Sequence, residues 1–330
     1  MALASKIFSV REENFISLAL DLFQFQYEHN KVYRRYCDTL KIDRNKIICL
    51  EQIPFLPVQF FKTHLVTTTE FEPQAIFESS GTTQTINSRH FVKDISLYEK
   101  SFNETFRLFY GEPADWCIIA LLPSYLERNN SSLVMMADKL IRQSGHALSG
   151  YYLDDWVSLQ DTLKQLEKHE QKTVLIGVTF ALLDFASRCS MPLKNTIIVE
   201  TGGMKGRREE MTRQQVHEIL SESFHLKNIH SEYGMTELLS QAYSMGDGRF
   251  KSPPWMKILL REEDDPFAIQ SAYTIKAATT GAINIIDLAN IWSCSFIATE
   301  DAGKLYSDGS FEVMGRLDNT DIRGCSLLTL

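Results

Sequence analysis

Thr196-Ile197-Ile198-Val199-Glu200-Thr201-Gly202-Gly203-Met204-Lys205-Gly206-Arg207-Arg208 is an apolar run that passes straight into a turn rich in glycine and cations. A short β-branched run without polar alternation suits a strand covered on both faces. Residues 116–122, ended by Pro123, and residues 173–178 read the same way. Helical patterns flank these runs: residues 94–109, 131–143 and 180–188, and a segment to about Phe224 opened by Thr212 and Gln215 as a capping box. Short buried strands alternating with amphipathic helices define an α/β fold, whose ligand sites lie at the carboxyl ends of the strands. At that position Gly202 and Gly203 allow close backbone approach, and Lys205, Arg207 and Arg208 can offset phosphate charge. A solvated turn with a basic face is an equal reading of the same residues.

Upstream, residues 12–30 predict a helix with Phe15, Leu18, Ala19, Leu22, Phe23 and Gln26 on one stripe. Residues 51–61, with Pro54 and Pro57, predict an extended arm packed on the domain. Ser79-Ser80-Gly81-Thr82-Thr83 packs four hydroxyls around a glycine, a composition able to wrap a phosphate chain. No Gly-Lys-Ser/Thr follows, so it is not a Walker A loop. Downstream, a short strand at residue 229 leads into Tyr233-Gly234-Met235-Thr236-Glu237. Tyr233 can stack on a base, Thr236 can donate to a phosphate, and Glu237 can hold Mg²⁺. A turn followed by a helix start is the plainer alternative. Beyond Pro253-Pro254 the chain turns β-rich. Strands are predicted at 256–260, 282–287, 296–299, 303–306 and 311–314, with Asp308-Gly309 as a hairpin turn. The expected organisation is one domain over residues 1–330, α/β to about residue 250 and β-rich from 251.

With 330 residues and 44% hydrophobic content the chain can bury a large core. A net charge of −8 argues against a nucleic-acid surface. Six cysteines without a C-x-x-C pair predict free thiols rather than zinc or disulfides. The first ten residues do not form a signal peptide, and no apolar run approaches the roughly 20 residues of a membrane span, so the expectation is a cytoplasmic protein.

Taken in order, these stretches resemble the adenylate-forming superfamily of acyl-CoA synthetases, adenylation domains and luciferases. Ser79–Thr83 is similar to its phosphate loop, Gly202 and Gly203 to its adenine-edge glycines, and Tyr233–Glu237 to its Y-G-x-T-E motif. Asp301 resembles the aspartate of its T-G-D motif, and Gly315-Arg316 the G-R before its hinge. Within the superfamily, residues 200–207, 233–241 and 322–325 look like the acyl-protein synthetase (LuxE-type) component of bacterial fatty-acid reductase. Three departures stand out: Gln84 replaces a glycine of the phosphate loop, whose usual lysine is missing; Glu300 replaces the glycine of T-G-D; and the chain ends soon after the hinge position.

The resemblance implies the large-domain architecture of an adenylate-forming enzyme, with a β-rich C-terminal end and without the swinging C-terminal domain. It implies a ligase using ATP and Mg²⁺ to convert a carboxylic acid, of fatty-acid class, into an acyl-adenylate. The acyl group would then pass to a thiol, with Cys325 as the candidate. Ser79, Ser80, Gly81, Thr82, Thr83, Gly202, Gly203, Tyr233, Gly234, Asp301 and Arg316 would bind nucleotide; Thr236 and Glu237 would act in catalysis, Glu237 also on the metal. An acyl-reductase or carrier protein is the implied partner. Transfer to CoA or phosphopantetheine, and a non-catalytic binding subunit, are the alternatives.

Overall fold

The computed structural model describes residues 3–79, 86–122, 130–153, 155–202 and 211–317. The chain divides into two compact units. The first holds Met1–Tyr98, Thr236–Ser240 and Lys251–Leu330, and the second Glu99–Met235 and Gln241–Phe250. The first opens with α1 (Glu12–His29), α2 (Lys31–Thr39), β1 (Leu56–Pro57), α3 (Phe60–Thr63), β2 (Ala75–Glu78) and β3 (Arg89–Val92). Then α4 (Ile95–Tyr110) leads into β4 (Cys117–Leu121), α5 (Ser132–Ser144), β5 (Gly150–Tyr151), α6 (Trp156–Lys168), β6 (Thr173–Val178) and α7 (Thr179–Arg188). The second unit closes with β7 (Thr196–Thr201), α8 (Arg213–Phe224), β8 (His230–Tyr233) and β9 (Ala242–Ser244). After β10 (Phe250–Lys251) the first unit resumes with β11 (Met256–Arg261), β12 (Ile269–Ser271), β13 (Ala278–Asp287), β14 (Phe296–Tyr306) and β15 (Phe311–Arg316).

In the second unit the strand order is β9-β8-β7-β6-β4-β5. β8, β7, β6, β4 and β5 run parallel, and β9 is antiparallel to β8. Every residue of β4 and β6 is buried, as continuous apolar runs require when both faces of a sheet are covered. α8 begins where the sequence places it. Thr212 Oγ1 accepts from Gln215 N at 3.2 Å, and Gln215 Oε1 accepts from Thr212 N at 2.9 Å.

In the first unit β12-β11-β13-β14-β15 form an antiparallel sheet, with β1 parallel to β14. The two strands predicted at 296–299 and 303–306 are one continuous strand, β14, with a register shift between Ala302 and Gly303. The polar Thr299-Glu300-Asp301 stretch reads as a break, but it is the bulged centre of the strand. α1 buries the six residues of its predicted stripe. Among them Gln26 acts as a tether: its Nε2 donates to the carbonyls of Asn290 (3.1 Å) and Ile291 (3.0 Å), and its Oε1 accepts from Ser295 N (2.9 Å). The proline-bearing arm packs as expected, with Leu56 and Pro57 in register with Ile297 and Ala298. Tyr33 donates to the Pro54 carbonyl at 2.6 Å and stacks on Phe296, with ring centroids 5.9 Å apart.

Candidate active site

β2 and β3 pair antiparallel as a hairpin, and the hydroxyl-rich stretch begins at Ser79, just past the end of β2. At its base Ser79 N donates to the Ser88 carbonyl (3.1 Å), and Ser88 N donates to Ser79 Oγ (2.9 Å). Ser80, Gly81, Thr82 and Thr83 lie outside the described residues. The Ser88 hydroxyl donates to the carboxylate of Glu237, a contact that the motif reading missed. Burial pushes the Glu237 carboxyl up, while the Ser88 bond and the attraction of Lys62 and Arg316 oppose that rise.

Thr236 and Glu237 do not begin a helix; they sit in an irregular segment held by its backbone. The Thr236 carbonyl is 2.9 Å from His90 Nδ1. A carbonyl can only accept, so Nδ1 carries the proton. Burial drives this histidine's pKa down to about 4, leaving a neutral ring. Asn290 Nδ2 donates to the Glu237 carbonyl at 2.7 Å. Beyond the motif, Asp287 accepts from Leu239 N (2.8 Å), Ser240 N (3.0 Å) and Ser240 Oγ (2.6 Å). None of His90, Asp287 and Asn290 carries a recognisable motif; the alternation in β3 is the one signal that marks His90 as inward-facing.

Asp301 and Arg316 are directly opposed in the β14–β15 register, with Arg316 Nε 4.0 Å from the aspartate. Glu300 occupies Arg316 further, accepting from its Nη2 at 2.9 Å, and also accepts from Gln59 Nε2. The carboxylate standing where a glycine was expected is thus a paired group. Lys93 and Arg89, the two cations near the loop, differ in their settings. Lys93 Nζ lies 3.7 Å over the Trp292 ring, whereas Arg89 is exposed at the start of β3.

In the second unit Gly202 follows β7 with φ +67°, and a Cβ there would meet nothing within 4 Å, so backbone conformation alone calls for glycine. Gly203 and the cations after it lie outside the described residues. Tyr233 is buried at the end of β8, its ring 6.0 Å from Phe250 and its hydroxyl 3.8 Å from Met235 Sδ. At Gly234 a Cβ would stand 2.5 Å from Glu232 Oε1. Two buried carboxyls flank these motif positions. Burial, with the nearby Glu200 charge, pushes Glu232 up to about 7 against a hydrogen bond from Thr201. Burial also raises Glu200 against the Thr179 bond. Thr179 Oγ1 is 2.5 Å from both Glu200 Oε1 and the Gly202 carbonyl. One hydroxyl proton cannot serve both acceptors at once, so Thr179 donates to one of them at a time. His230 rests against Tyr110, its Nδ1 3.3 Å from the hydroxyl, as a packed histidine.

Cys325 lies outside the described residues. The five described cysteines are free thiols, and burial raises the pKa of each, that of Cys37 to about 12. The described residues contain no group of three or more His, Cys, Asp or Glu able to hold a metal. No described helix is long and apolar enough to cross a membrane.

The Tyr233–Glu237 segment and the opposed Asp301–Arg316 pair are the positions that resemble motifs of the adenylate-forming enzymes. The chain belongs to the acyl-protein synthetase (LuxE) family, whose model matches residues 8–329. It is 22% identical over 332 residues to the long-chain-fatty-acid–luciferin-component ligase of Vibrio harveyi, covering 92% of this chain and 84% of that protein. A 66-residue stretch is 44% identical to the protein of the same description from Photorhabdus luminescens, covering 20% of this chain and 56% of that one, little more than half its length. Among solved structures, it is similar to the luciferase-like enzyme of the mealworm Zophobas morio, with a TM-score of 0.49 and 15% identity over 76% of this chain and 60% of that one. It is also similar to the O-succinylbenzoate coenzyme A synthetase of Bacillus subtilis in complex with ATP and magnesium, with a TM-score of 0.49 and 17% identity over 76% and 51%.

Proposed function

We propose that this protein is an ATP-dependent acid–thiol ligase that activates a fatty acid as its acyl-adenylate and transfers the acyl group to a protein cysteine. The carrying observation is Glu237, a buried carboxylate aligned by Ser88 and drawn toward Lys62 and Arg316, on a backbone pinned by His90 and Asn290. Family membership and the long-chain fatty acid in the relatives' descriptions supply the substrate class.

A carboxylate is a poor acyl donor because its leaving group would be oxide. Attack of its oxygen on the α-phosphorus of ATP breaks the bond to pyrophosphate and forms a mixed anhydride with a good leaving group. Attack of a thiolate on the acyl carbon then forms the thioester and releases AMP. The first step brings two anions together, so positioning and charge neutralisation carry the catalysis. Among the described residues Glu237 belongs to no cluster of three or more His, Cys, Asp or Glu. That suits Mg²⁺, which takes one or two carboxylates and otherwise phosphates and water. The ion would supply charge neutralisation at the phosphates. Thr236 and the hydroxyls of Ser79–Thr83 would donate to phosphate oxygens, Asp301 would accept from the ribose hydroxyls, and Arg316 would orient Asp301. Gly202, Gly203, Tyr233 and Gly234 would form the base-binding edge. Cys325, two positions after Arg323, would be the acceptor, as the family resemblance implies. A partner acyl-reductase would take the acyl group from there.

The test is intact-protein mass after incubation with ATP, Mg²⁺ and fatty acids of graded length, on wild type and Cys325→Ala. The expected result is an acyl-sized increment, removed by hydroxylamine and absent from Cys325→Ala. An increment persisting in the variant would place the acceptor elsewhere. Absence of both an increment and ATP–pyrophosphate exchange in folded protein would overturn the ligase reading.

A further inference from the structure

The ligase reading gathers negative charge in the first unit. Glu237 and Asp301 are carboxylates, and the triphosphate of a nucleotide carries more charge than one divalent ion neutralises. Ser79–Thr83 offers hydroxyls but no cation. The cation must come from elsewhere in the fold.

Most cations of this unit are already committed. Arg316 donates to Glu300 at 2.9 Å and lies 4.0 Å from Asp301. Arg261 donates to the carbonyls of Ile283 and Thr299 and is attracted by the charge of Asp301. Lys93 Nζ lies 3.7 Å over the Trp292 ring and donates to Thr69 Oγ1 at 3.4 Å. Lys62 differs. Its charge acts on the Glu237 carboxylate, yet among the described residues it has no carboxylate within 4 Å and no hydrogen-bond partner. It is half-buried, so a strongly hydrated ammonium has lost part of its water, a cost that an anion would offset.

The segment that carries Lys62 is held in place from several sides. α3 has four residues, too few to fix a side chain by itself. Just before it Val58 N donates to the Ala298 carbonyl of β14 at 2.9 Å, and Gln59 Nε2 donates to Glu300. Phe61 is buried and meets the His90 ring edge-on, with centroids 5.8 Å apart. His90 in turn donates to the carbonyl of Thr236, the residue before Glu237. Phe60 stacks on His64 at 5.0 Å. Lys62 and Glu237 are thus held within electrostatic range without touching. A direct ion pair would spend both charges; kept apart, each remains available to a ligand.

We infer that Lys62 is the ammonium that binds the polyphosphate of the nucleotide, while Glu237 serves the metal. A metal held by Glu237 binds phosphate oxygens, so the anion beside Lys62 is phosphate rather than the carboxylate of the acid. The role rests on the nucleotide that the ligase reading brings.

Calorimetric titration of the full chain with MgATP, with inorganic pyrophosphate plus Mg²⁺, and with adenosine tests the role on wild type, Lys62→Met and Lys62→Arg, each shown to be folded by thermal unfolding. Lys62→Met keeps the apolar stem and removes the charge. It should weaken binding of MgATP and pyrophosphate at least tenfold and change adenosine binding less than twofold. Lys62→Arg keeps the charge and should stay within about threefold of wild type for MgATP. In pyrophosphate exchange the KM of Lys62→Met for MgATP should rise by the same factor as its dissociation constant. Unchanged MgATP affinity in Lys62→Met would overturn the role. So would an equal loss for adenosine, which would make Lys62 a support of the fold. Loss of sodium decanoate binding with MgATP binding intact would move Lys62 to the acid and overturn it likewise. Wild-type chain that binds MgATP through Lys62 but exchanges no pyrophosphate would overturn the ligase reading and leave this role standing. Wild-type chain that binds no MgATP would overturn both.

Discussion

Ser88 donates its hydroxyl proton to a carboxylate that burial drives toward the neutral form. In the proposed ligase Glu237 would hold a metal only when ionised, so this hydroxyl would set the pH at which the site begins to work. Ser88→Ala removes a bond worth about 1 kcal/mol, which corresponds to roughly 0.7 pH unit. Its sign follows from the bond favouring the charged carboxylate: without it the Glu237 pKa rises. The acidic limb of the pyrophosphate-exchange profile should move to higher pH by about that amount, with the plateau rate little changed. An unmoved limb would separate Glu237 ionisation from activity. Of these two residues only Glu237 was legible in the sequence. Its neighbours Tyr233 and Gly234 give it a local signature, whereas Ser88 becomes its partner through the β2–β3 hairpin, a pairing across a loop too long for short-turn rules.

At the scale of elements, what was readable is what is decided locally. The Thr212–Gln215 box opens α8 because both reciprocal bonds are made within four residues, and Thr212→Ala should cost about 1 kcal/mol by thermal or denaturant unfolding. The buried strands were readable because β4 and β6 are buried throughout and β7 at every residue but Ile197. By contrast α2 was not, since Lys31-Val32-Tyr33-Arg34-Arg35-Tyr36 shows mostly charge and buries only Tyr33 and Cys37. Hidden too was the frame of the Thr236–Ser240 segment. Asp287 at the end of β13 accepts four protein donors, the fourth being Ala289 N at 3.1 Å, from residues up to 48 positions away. Asp287→Asn turns one accepting oxygen into a donor facing those N–H groups. It should cost about 2–4 kcal/mol and depress exchange activity through a displaced Glu237. Ser240→Ala, which removes one of those bonds, should cost only about 1 kcal/mol. Equal losses from the two would show that Asp287 does not organise the segment.

For the whole molecule, buried titratable groups shape the dependence of stability on pH. Burial raises Glu200, Glu232, Glu237 and Asp287, so the folded chain binds more protons than the unfolded chain from the ordinary carboxylate range upward. Their stabilisation is complete at low pH and is lost as pH climbs through the folded values, about 6 for Asp287 and about 7 for Glu232. Burial lowers His90 and His217 to about 4, and lowers His230. There the unfolded chain binds more protons, and stability rises with pH until the ordinary histidine value of about 6.5 is passed. Below that value the two sets oppose each other and the profile is flat; above it only the carboxylates act and stability falls. The net charge of −8 adds repulsion in the same direction. Glu232 alone should remove about 1 kcal/mol between pH 6.5 and pH 8. Glu232→Gln keeps a neutral group of the same shape to accept from Thr201, and so should flatten that alkaline limb. Denaturant unfolding of the two proteins should show a gap in favour of the variant that widens by about 2–3 kcal/mol from pH 5 to pH 8. A gap that stays constant with pH would mean that Glu232 is already ionised in the folded protein, and that the carboxyl beneath Gly234 is a fixed charge throughout.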